Sequence, residues 1–485
     1  MPLQTPSIRA CLAWPYDSGT SDEEELTVAL QAATGLADIS PRGSVYLAGY
    51  PHTERISSGI HDPLQAVALC LANNDTRVLM LAVDTLFLTP ATARELRREI
   101  AEKTGTPADN VFISCTHTHS APPVADMLAW REDPSVAPVD TGYLAHFKAG
   151  IIAAAVAATH AMRPAELAWT TADADGIGGN RLGPDGPMDP EVGVLAVRDS
   201  GTGELLAISA ICGMHPTVLH EDSTLVSADF PGYTRAALRE AFSAGLAVLY
   251  HLGPCGNLSP RRCVQAQTFE EAERLGRLLA RRIAATISAI PTERFRRDIT
   301  LRVVAGTVPL PARTMPAVDQ AEKRLRRARA TYRRLKREHA ARAEIRTAEC
   351  AVFGAEEGLC LARCRVDGAL EAVIDTHLPA TVQVLRIGDR CLAGMPGELF
   401  VEYGLELKRR TNGSAFAVSL VNGELQGYIV TPEAARAGGY EADSRLFEPQ
   451  SGAILVDAAV RLIEQMQGRQ SQEPNMGRWT QRPTR

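Results

Sequence analysis

The chain has 485 residues, of which 45% are hydrophobic and 22% charged, the composition of a soluble globular protein. Its formal net charge of -6 gives no reason to expect nucleic acid or a membrane surface as a bulk partner. The first 30 residues show no basic segment followed by an apolar core, and no uninterrupted apolar stretch approaches about 18 residues. We therefore expect neither a signal peptide nor a transmembrane helix. Ten cysteines without a Cys-x-x-Cys pair favour reduced thiols and a cytoplasmic location.

In chain order, apolar runs and helix signals alternate, which predicts an α/β fold of mixed sheets layered with helices. Residues 1–30 form an acidic lead-in. Thr89 is placed to cap a helix that Gly105 ends. Strand-length runs are predicted at 64–71, 78–83, 167–173, 192–197, 205–212, 246–252, 299–310, 381–387, 390–393 and 415–421, and a further strand that opens at Val111 is predicted to bear a pair of histidines. Further helices are predicted at 143–162, 233–244, 269–288, 402–410 and 453–467.

A strongly basic segment, 317–347, interrupts this pattern and carries only a thin apolar stripe of Leu325, Tyr332 and Leu335. One interpretation is a solvated helix or half of a helical hairpin. The other is a basic rim that attracts an anionic substrate or headgroup. We expect one catalytic domain over 31–467 with this segment as an insertion, followed by a disordered tail at 468–485.

The stretch from Val111 to Pro123, VFISCTHTHSAPP, opens with a predicted strand that bears two histidines at its end. Side chains alternate along an extended strand, so His117 and His119 are expected on one face. Two imidazoles on one face supply one or two ligands to a metal ion. The alternative is two polar residues at a strand end that face water.

Four other strand ends also carry polar residues in sharp turns, and open α/β sheets bind ligands at such ends. Each has a local explanation: pairing of Arg181 with a surface carboxylate, a core position for His215, a turn position for Ser259, or helix capping by Glu398. Their co-occurrence favours a site assembled from distant parts of the chain. The five ends carry His117/His119, Asn180/Arg181, His215, Ser259 and Glu398.

An ordered set of motifs over roughly residues 30–445 resembles the neutral/alkaline, non-lysosomal ceramidase family, whose members are zinc amidases that hydrolyse the N-acyl bond of ceramide. The resemblance covers most of the chain, and the motifs occur in the family's order. They read TGLADISP, LAGY, GIHDP, CTHTHSAP, GNR, MHPTVL, LVSADFPGY, CGNLSPR, GMPGELFVE, GYIVTPE and GYE.

The resemblance implies a role for each matching residue. The implied zinc ligands are His117, His215, Glu398 and Tyr428. The implied catalytic residues are His119, Arg181, which stabilises the charge on the scissile carbonyl, and Ser259. Tyr440 would lie near the metal, and Asp229 would orient a ligand histidine from behind. Two routes stay open: attack by a metal-activated water, or attack by Ser259 to give an acyl-enzyme. Ser259 lacks the G-x-S-x-G elbow.

The chain departs from characterised ceramidases in three respects. We expect no signal peptide and no C-terminal immunoglobulin-like β-sandwich of the kind that the family carries. In addition, the chain has an added basic segment. Three hypotheses follow: a zinc-dependent amidohydrolase acting on ceramide, a zinc hydrolase of a small soluble amide or ester, and a non-catalytic binding module. A deep apolar tunnel would favour the first, and a shallow polar pocket the second.

Overall fold

The computed structural model describes residues 30–74 and 76–468 of the chain. The expected lead-in (1–30) and tail (468–485) therefore lie outside the described residues, apart from one residue at each junction. The described ranges form a mixed α/β fold, which confirms the predicted class.

The larger sheet has eight strands in the order β11-β9-β8-β6-β1-β3-β4-β5, and a second sheet has four in the order β13-β14-β15-β17. In the larger sheet β4–β5 and β9–β11 run parallel and the other neighbours antiparallel. Both predicted hairpins, β8–β9 and β14–β15, are confirmed. The strands are β1 (Gln31–Asp38), β2 (Gly59–Ile60), β3 (Gln65–Ala72), β4 (Arg77–Val83), β5 (Val111–Cys115), β6 (Arg163–Asp173), β7 (Gly179–Asn180), β8 (Glu191–Asp199), β9 (Leu205–Cys212), β10 (Leu225–Val226), β11 (Ala247–Leu252), β12 (Leu258–Ser259), β13 (Leu301–Val308), β14 (Ala380–Ile387), β15 (Arg390–Gly394), β16 (Glu398–Leu399), β17 (Ala415–Val418) and β18 (Tyr428–Ile429).

The predicted helices are present with small shifts at their ends. Thr89 caps the first helix by accepting from the N–H of Thr92, and Gly105 ends it in the left-handed region. The helix predicted at 233–244 begins one turn earlier because Pro231, which lacks an N–H, fits its first turn. The helices are α1 (Pro90–Thr104), α2 (Thr141–His160), α3 (Asp229–Ala241), α4 (Phe269–Ser288), α5 (Val318–Arg337), α6 (Arg342–Val366), α7 (Ala369–His377), α8 (Val401–Arg410), α9 (Pro432–Ala437), α10 (Tyr440–Asp443) and α11 (Ser451–Met466).

The two sheets pack face to face, and helices cover their outer faces. Strand β3 shows why: Leu69 packs in the core that contains Leu385 and Phe416 of the second sheet, while its neighbour Cys70 packs in the core that contains Ile151 of α2. Alternate residues of a strand point to opposite faces, so a strand that is apolar throughout is buried on both sides. Helices α8 and α11 contact the second sheet.

Helix α2 is the one described helix that is long and apolar enough to cross a membrane, by length and composition alone. In the fold it packs on β1 and β3, with Phe147 and Ile151 fully buried. Gly35 of β1 allows this close approach, because a Cβ at that position would lie 2.0 Å from the carbonyl oxygen of Ala154. These are the contacts of a core helix.

The basic segment 317–347 is part of a helical hairpin, one of the two forms that its sequence favoured. Helix α5 ends at Arg337 and α6 begins at Arg342, so the segment forms one arm and the turn of a helical hairpin. Leu325 of α5 packs against Val352 and Leu359 of α6, which is the hairpin alternative. Helix α6 then runs on beyond the predicted range and reaches the strand ends that carry the candidate site.

Candidate metal centre and active site

Two short strand pairs bring distant motifs together at one edge of the fold. In the parallel pair β16–β18, Glu398 lies directly opposite Tyr428. In the antiparallel pair β7–β12, Ser259 lies opposite Gly179, so Arg181 follows within two residues of that partner. The loops after β5 and β9 carry His117, His119 and His215 to the same place, so the five polar strand ends converge as the sequence predicted.

His117 and His119 meet in a turn and not along a strand. Strand β5 ends two residues before His117, whose φ of 67° is left-handed. The N–H of His117 donates to the carbonyl of Thr85 at 2.9 Å, which holds the turn against the end of β4. The Nε2 atoms of His117 and His119 still lie 3.4 Å apart. The two histidines therefore share a site as expected. The expected cause was wrong, because the turn after β5 brings them together and not the alternation of side chains along a strand.

Three histidines present ring nitrogens within 4.8 Å of one another: His117, His119 and His215. Each Nδ1 lies at 2.8 to 2.9 Å from a backbone carbonyl oxygen, of Leu86, Gly49 and Cys255 respectively. A carbonyl oxygen only accepts, so each Nδ1 carries the proton and each Nε2 presents a lone pair. The Nε2 atoms of His117 and His215 lie 3.1 Å apart. Two facing lone pairs at this distance repel each other unless a cation lies between them.

The carboxylate of Glu398 adds a third acceptor to this point. Its Oε2 lies 3.2 Å from Nε2 of His117 and 3.3 Å from Nε2 of His215, and it is buried without a hydrogen bond to any described residue. Burial favours the neutral acid, but a positive charge on the His117 and His215 rings outweighs it and holds the pKa of Glu398 well below its usual range. A proton on one of these Nε2 atoms, or a metal ion in its place, supplies that charge. Burial, with the charge of Arg181, lowers the pKa of His215 to about 4. Imidazole Nε2 atoms and a carboxylate oxygen are ligands that a divalent metal binds in place of a proton, and these residues fit one.

His119 lies on the open side of this cluster. Burial, and then the charges of His117 and His215, lower its pKa well below the usual value. Its ring is fixed by Gly49, whose φ is 100° and where a Cβ would lie 2.6 Å from the imidazole. The LAGY glycine is therefore required at that position both by its backbone conformation and by space.

Arg181 is buried beside the cluster. Its Nε donates to Oε1 of Glu441 at 2.7 Å, and its guanidinium carbon lies 5.3 Å from the ring centre of Tyr428. Its Nη2 is buried without a hydrogen bond to any described residue. Burial lowers the pKa of Arg181, but Tyr428 and Glu441 outweigh that effect and raise it well above the ordinary value. Arg181 thus offers a fixed, charged donor whose Nη2 group has no partner among the described residues.

Ser259 and Tyr440 complete the wall of a small cavity of about 70 Å³ beside His119, Arg181 and Tyr428. The Oγ of Ser259 is buried and makes no hydrogen bond to a described residue. The rings of Tyr428 and Tyr440 pack edge to face with centres 5.5 Å apart. Burial raises the pKa of both phenols well above the ordinary value. The serine predicted as a nucleophile therefore faces the site without a base bound to it.

The expected role of Asp229 is corrected. Its carboxylate accepts from the N–H groups of Leu219, at 2.9 Å, and Phe230, at 2.6 Å, and each ligand-type histidine is oriented by a backbone carbonyl instead. Burial raises the pKa of Asp229 to about 7. Asp229 therefore anchors the loop that follows His215, and it bonds to no imidazole in the described structure.

A buried ion pair behind the histidine turn was missed by the sequence reasoning. Arg235 of α3 forms two bonds to the Asp84 carboxylate, with Nη1 at 2.8 Å from Oδ1 and Nη2 at 2.5 Å from Oδ2. Asp84 also accepts from the hydroxyl of Thr116, the residue before His117, at 3.0 Å. The position of Asp84 at a strand end was visible in the sequence, but its partner lies 151 residues away.

Helix α6 supplies a further wall that the sequence did not predict. Arg346, Cys350 and Phe353 line the cavity, and Glu357 accepts from the indole N–H of Trp130 at 3.0 Å beside the histidine cluster. Burial is the main cause that raises the pKa of Glu357 to about 8. The helical insertion is therefore part of the site and not a peripheral addition.

Sequence comparisons find known proteins that resemble this chain. A family model described as neutral/alkaline non-lysosomal ceramidase, N-terminal, matches residues 31–247. Neutral ceramidase of Drosophila melanogaster is 33% identical over 93 residues, which cover 17% of this chain and 13% of that protein. Neutral ceramidase of Drosophila pseudoobscura pseudoobscura is 31% identical over 101 residues, covering 19% and 14%. The matched segments are thus a small part of these relatives.

Solved structures extend the likeness to most of the chain. The crystal structure of neutral ceramidase from Pseudomonas aeruginosa superposes with a TM-score of 0.69 at 19% identity, over 90% of this chain and 75% of that one. A ceramidase complexed with C2 gives a TM-score of 0.67 at 18% identity, over 90% and 76%. At these identities the structures establish the shared fold. The family-model match and the sequence relatives place residues 31–247 in the neutral/alkaline non-lysosomal ceramidase family, and the solved structures extend the shared fold to most of the chain.

Proposed function

We propose that the protein is a zinc-dependent hydrolase of an N-acyl amide bond, the type of bond that an enzyme named ceramidase hydrolyses. In this proposal the zinc ligands are His117, His215, Glu398 and Tyr428. The residues that act on the amide are His119, Arg181 and Ser259, with Tyr440 beside the metal.

One observation carries the proposal. The Nε2 atoms of His117 and His215 and one carboxylate oxygen of Glu398 converge within 3.1 to 3.3 Å, while the Nδ1 atom of each histidine is already bonded to a backbone carbonyl. Such a set is unfavourable without a cation, and two histidines with a carboxylate are an ordinary ligand set of hydrolytic zinc. Glu398 and Tyr428 are paired across β16–β18, which supports Tyr428 as the fourth ligand.

Zinc supplies a Lewis acid and lowers the pKa of water at such a site. The protein's own groups supply the rest. Neutral His119 presents Nε2 as a proton acceptor on the cavity side. The free Nη2 of Arg181 is a charged donor for the oxygen of the scissile carbonyl, where negative charge develops. Burial of both groups strengthens these interactions, because little water competes with them.

The size and lining of the cavity favour a small or polar amide over ceramide as the substrate. The space beside His119 and Ser259 is only about 70 Å³, and it opens toward arginine side chains. A small or polar amide fits this shape better than the long apolar tunnel expected for a ceramide chain. We therefore keep the amide bond as the target and treat ceramide as one of several candidate substrates.

The test compares hydrolysis of a long-chain ceramide with hydrolysis of N-acetylethanolamine, a small polar amide, before and after chelation. We expect chelation to abolish turnover and added zinc to restore it. His215→Ala should lose metal and turnover together, whereas His160→Ala, at the exposed end of α2, should keep both. Turnover that survives complete metal removal would contradict the proposal.

A further inference from the structure

We propose that the site holds an anion-binding position at Arg261, so that the preferred substrate is an N-acyl amide whose polar portion carries a carboxylate. This inference rests on the proposed hydrolase function and narrows its substrate class. It also distinguishes this chain's substrate from a neutral ceramide.

Arg261 lies next to the reacting region in the chain. It belongs to the single 3-10 turn Pro260–Arg262 that directly follows Ser259. Because Ser259 and Arg261 are two positions apart in the chain, their Cα atoms lie at most roughly 7 Å from each other. The Arg261 side chain lines the same small cavity as Ser259, His119 and Tyr428. A group bound by Arg261 is therefore held within one side-chain length of the candidate scissile bond.

The guanidinium of Arg261 has no anionic partner among the described residues. Its Nη1 donates to the hydroxyl of Thr347 at 3.1 Å and its Nη2 to the sulfur of Cys350 at 3.4 Å, both on α6. No described carboxylate lies within 4.0 Å of the Arg261 guanidinium. Burial lowers the pKa of Arg261. A half-buried arginine normally pairs with an anion, because desolvation of an unpaired charge is costly.

Neighbouring acidic groups do not fill this role, because another arginine uses them. Arg346 pairs with Glu221 through two bonds of 2.7 and 3.0 Å and with Glu349 at 2.8 Å. Glu221 and Glu349 are the carboxylates that line the outer cavity among its described residues. Arg346 therefore takes the direct contacts of both acidic side chains, and Arg261 has no described carboxylate within 4.0 Å.

The outer cavity shows where an anionic substrate would enter. Its volume is about 850 Å³, and Arg261 and Arg346 line both it and the small inner cavity. Arg262 and Arg342 also line it, are exposed, and pair with no described carboxylate within 4.0 Å. The entrance is thus lined by four arginines and two glutamates. Such an excess of positive charge attracts anions, and a guanidinium fork matches a carboxylate.

The test measures binding with a pair of ligands that contain no amide and cannot be hydrolysed as one: decyloxyacetate and 2-decyloxyethanol. They differ only in a carboxylate against a hydroxymethyl group. Calorimetry on the full chain should give roughly tenfold or tighter binding of the carboxylate, as expected for a charge-assisted hydrogen bond. Arg261→Gln should remove this preference, and Arg261→Lys should restore part of it.

Arg333→Gln is the matched control, since Arg333 is exposed on α5 and lines neither cavity. It should leave the preference unchanged. Equal affinity for the two ligands, or a preference that survives in Arg261→Gln, would overturn the inference. The second result would place the carboxylate elsewhere, for example on the metal.

A kinetic arm separates this inference from the hydrolase proposal. N-lauroylglycine should be hydrolysed with a kcat/KM roughly tenfold above that of N-lauroylethanolamine, and Arg261→Gln should equalise the two. If the binding preference holds but neither amide is cleaved, the anion site stands and the hydrolase proposal fails. If both amides are cleaved equally and no binding preference exists, the hydrolase stands and the anion site fails.

Discussion

Removal of Arg235 should destabilise the protein strongly and weaken metal binding, although Arg235 touches no ligand-type residue. Its two bonds to Asp84 are fully buried, with 2% and 0% of the two side chains exposed. Arg235→Met leaves that carboxylate with only the hydroxyl of Thr116 and the N–H of Gln65, at 3.0 and 2.8 Å. Breaking a buried pair by removing one partner costs about 3–5 kcal/mol.

The magnitude can be isolated with a double-mutant cycle in urea unfolding. Asp84→Asn in the Arg235→Met background removes the stranded charge and should recover much of the lost free energy of unfolding. Arg277→Met is the control, because Arg277 pairs with Glu240 at 2.8 Å on the surface and such pairs contribute about 0–1 kcal/mol. An Arg235→Met variant within about 1 kcal/mol of the parent would refute the reasoning, given the burial argument. Metal content after dialysis should fall in the same variant, because Thr116 positions His117.

Three further predictions concern the site itself. Gly49→Ala should displace the His119 ring and reduce turnover by at least tenfold (about 1.4 kcal/mol), measured as kcat/KM at full metal occupancy; unchanged kinetics would contradict the role of the glycine. Glu357 has a folded-state pKa of about 8 against 4.5 unfolded, so its contribution to stability is present below pH 4.5 and is lost as the pH rises toward 8. Glutamine does not titrate, so in metal-depleted protein the free energy of unfolding of Glu357→Gln should rise relative to that of the parent by about 1.4 kcal/mol per pH unit across that window. A difference in free energy that does not change with pH would count against this prediction. Because no base is bonded to Ser259, mass spectrometry of quenched reactions should detect no acyl adduct, and an adduct on that residue would establish the serine route.

The sequence predicted the order and type of most elements because burial on both faces leaves continuous apolar runs, and because caps such as Thr89 are local. It also predicted that five polar strand ends would converge, although the short pairs β7–β12 and β16–β18 that bring three of them together left no signal in the sequence. It could not predict the turn at His117, since a positive φ at a non-glycine residue is imposed by the bonds of that turn to β4 and is not a preference of histidine. The pairing of Asp84 with Arg235 was hidden for a similar reason, because long-range partners leave no local pattern.

The helical insertion shows the limit of charge pattern as a guide. Its first arm has the composition of a solvated helix, and α5 is largely exposed. The second arm, α6, carries Arg346, Phe353 and Glu357 into the site, and only the packing of the hairpin on α10 and the Trp130 turn reveals this. Asp229 shows the limit of a family resemblance as a guide. Its role was inferred from a resemblance, whereas its actual partners are the backbone groups next to it.

The most direct test of the central claim is a crystal structure of the protein as purified, with anomalous data collected at the zinc edge. The account predicts a strong anomalous peak between Nε2 of His117, Nε2 of His215 and Oε2 of Glu398, at about 2.0–2.2 Å from each. No anomalous peak, with a proton or a hydrogen-bonded water joining these three atoms, would contradict it.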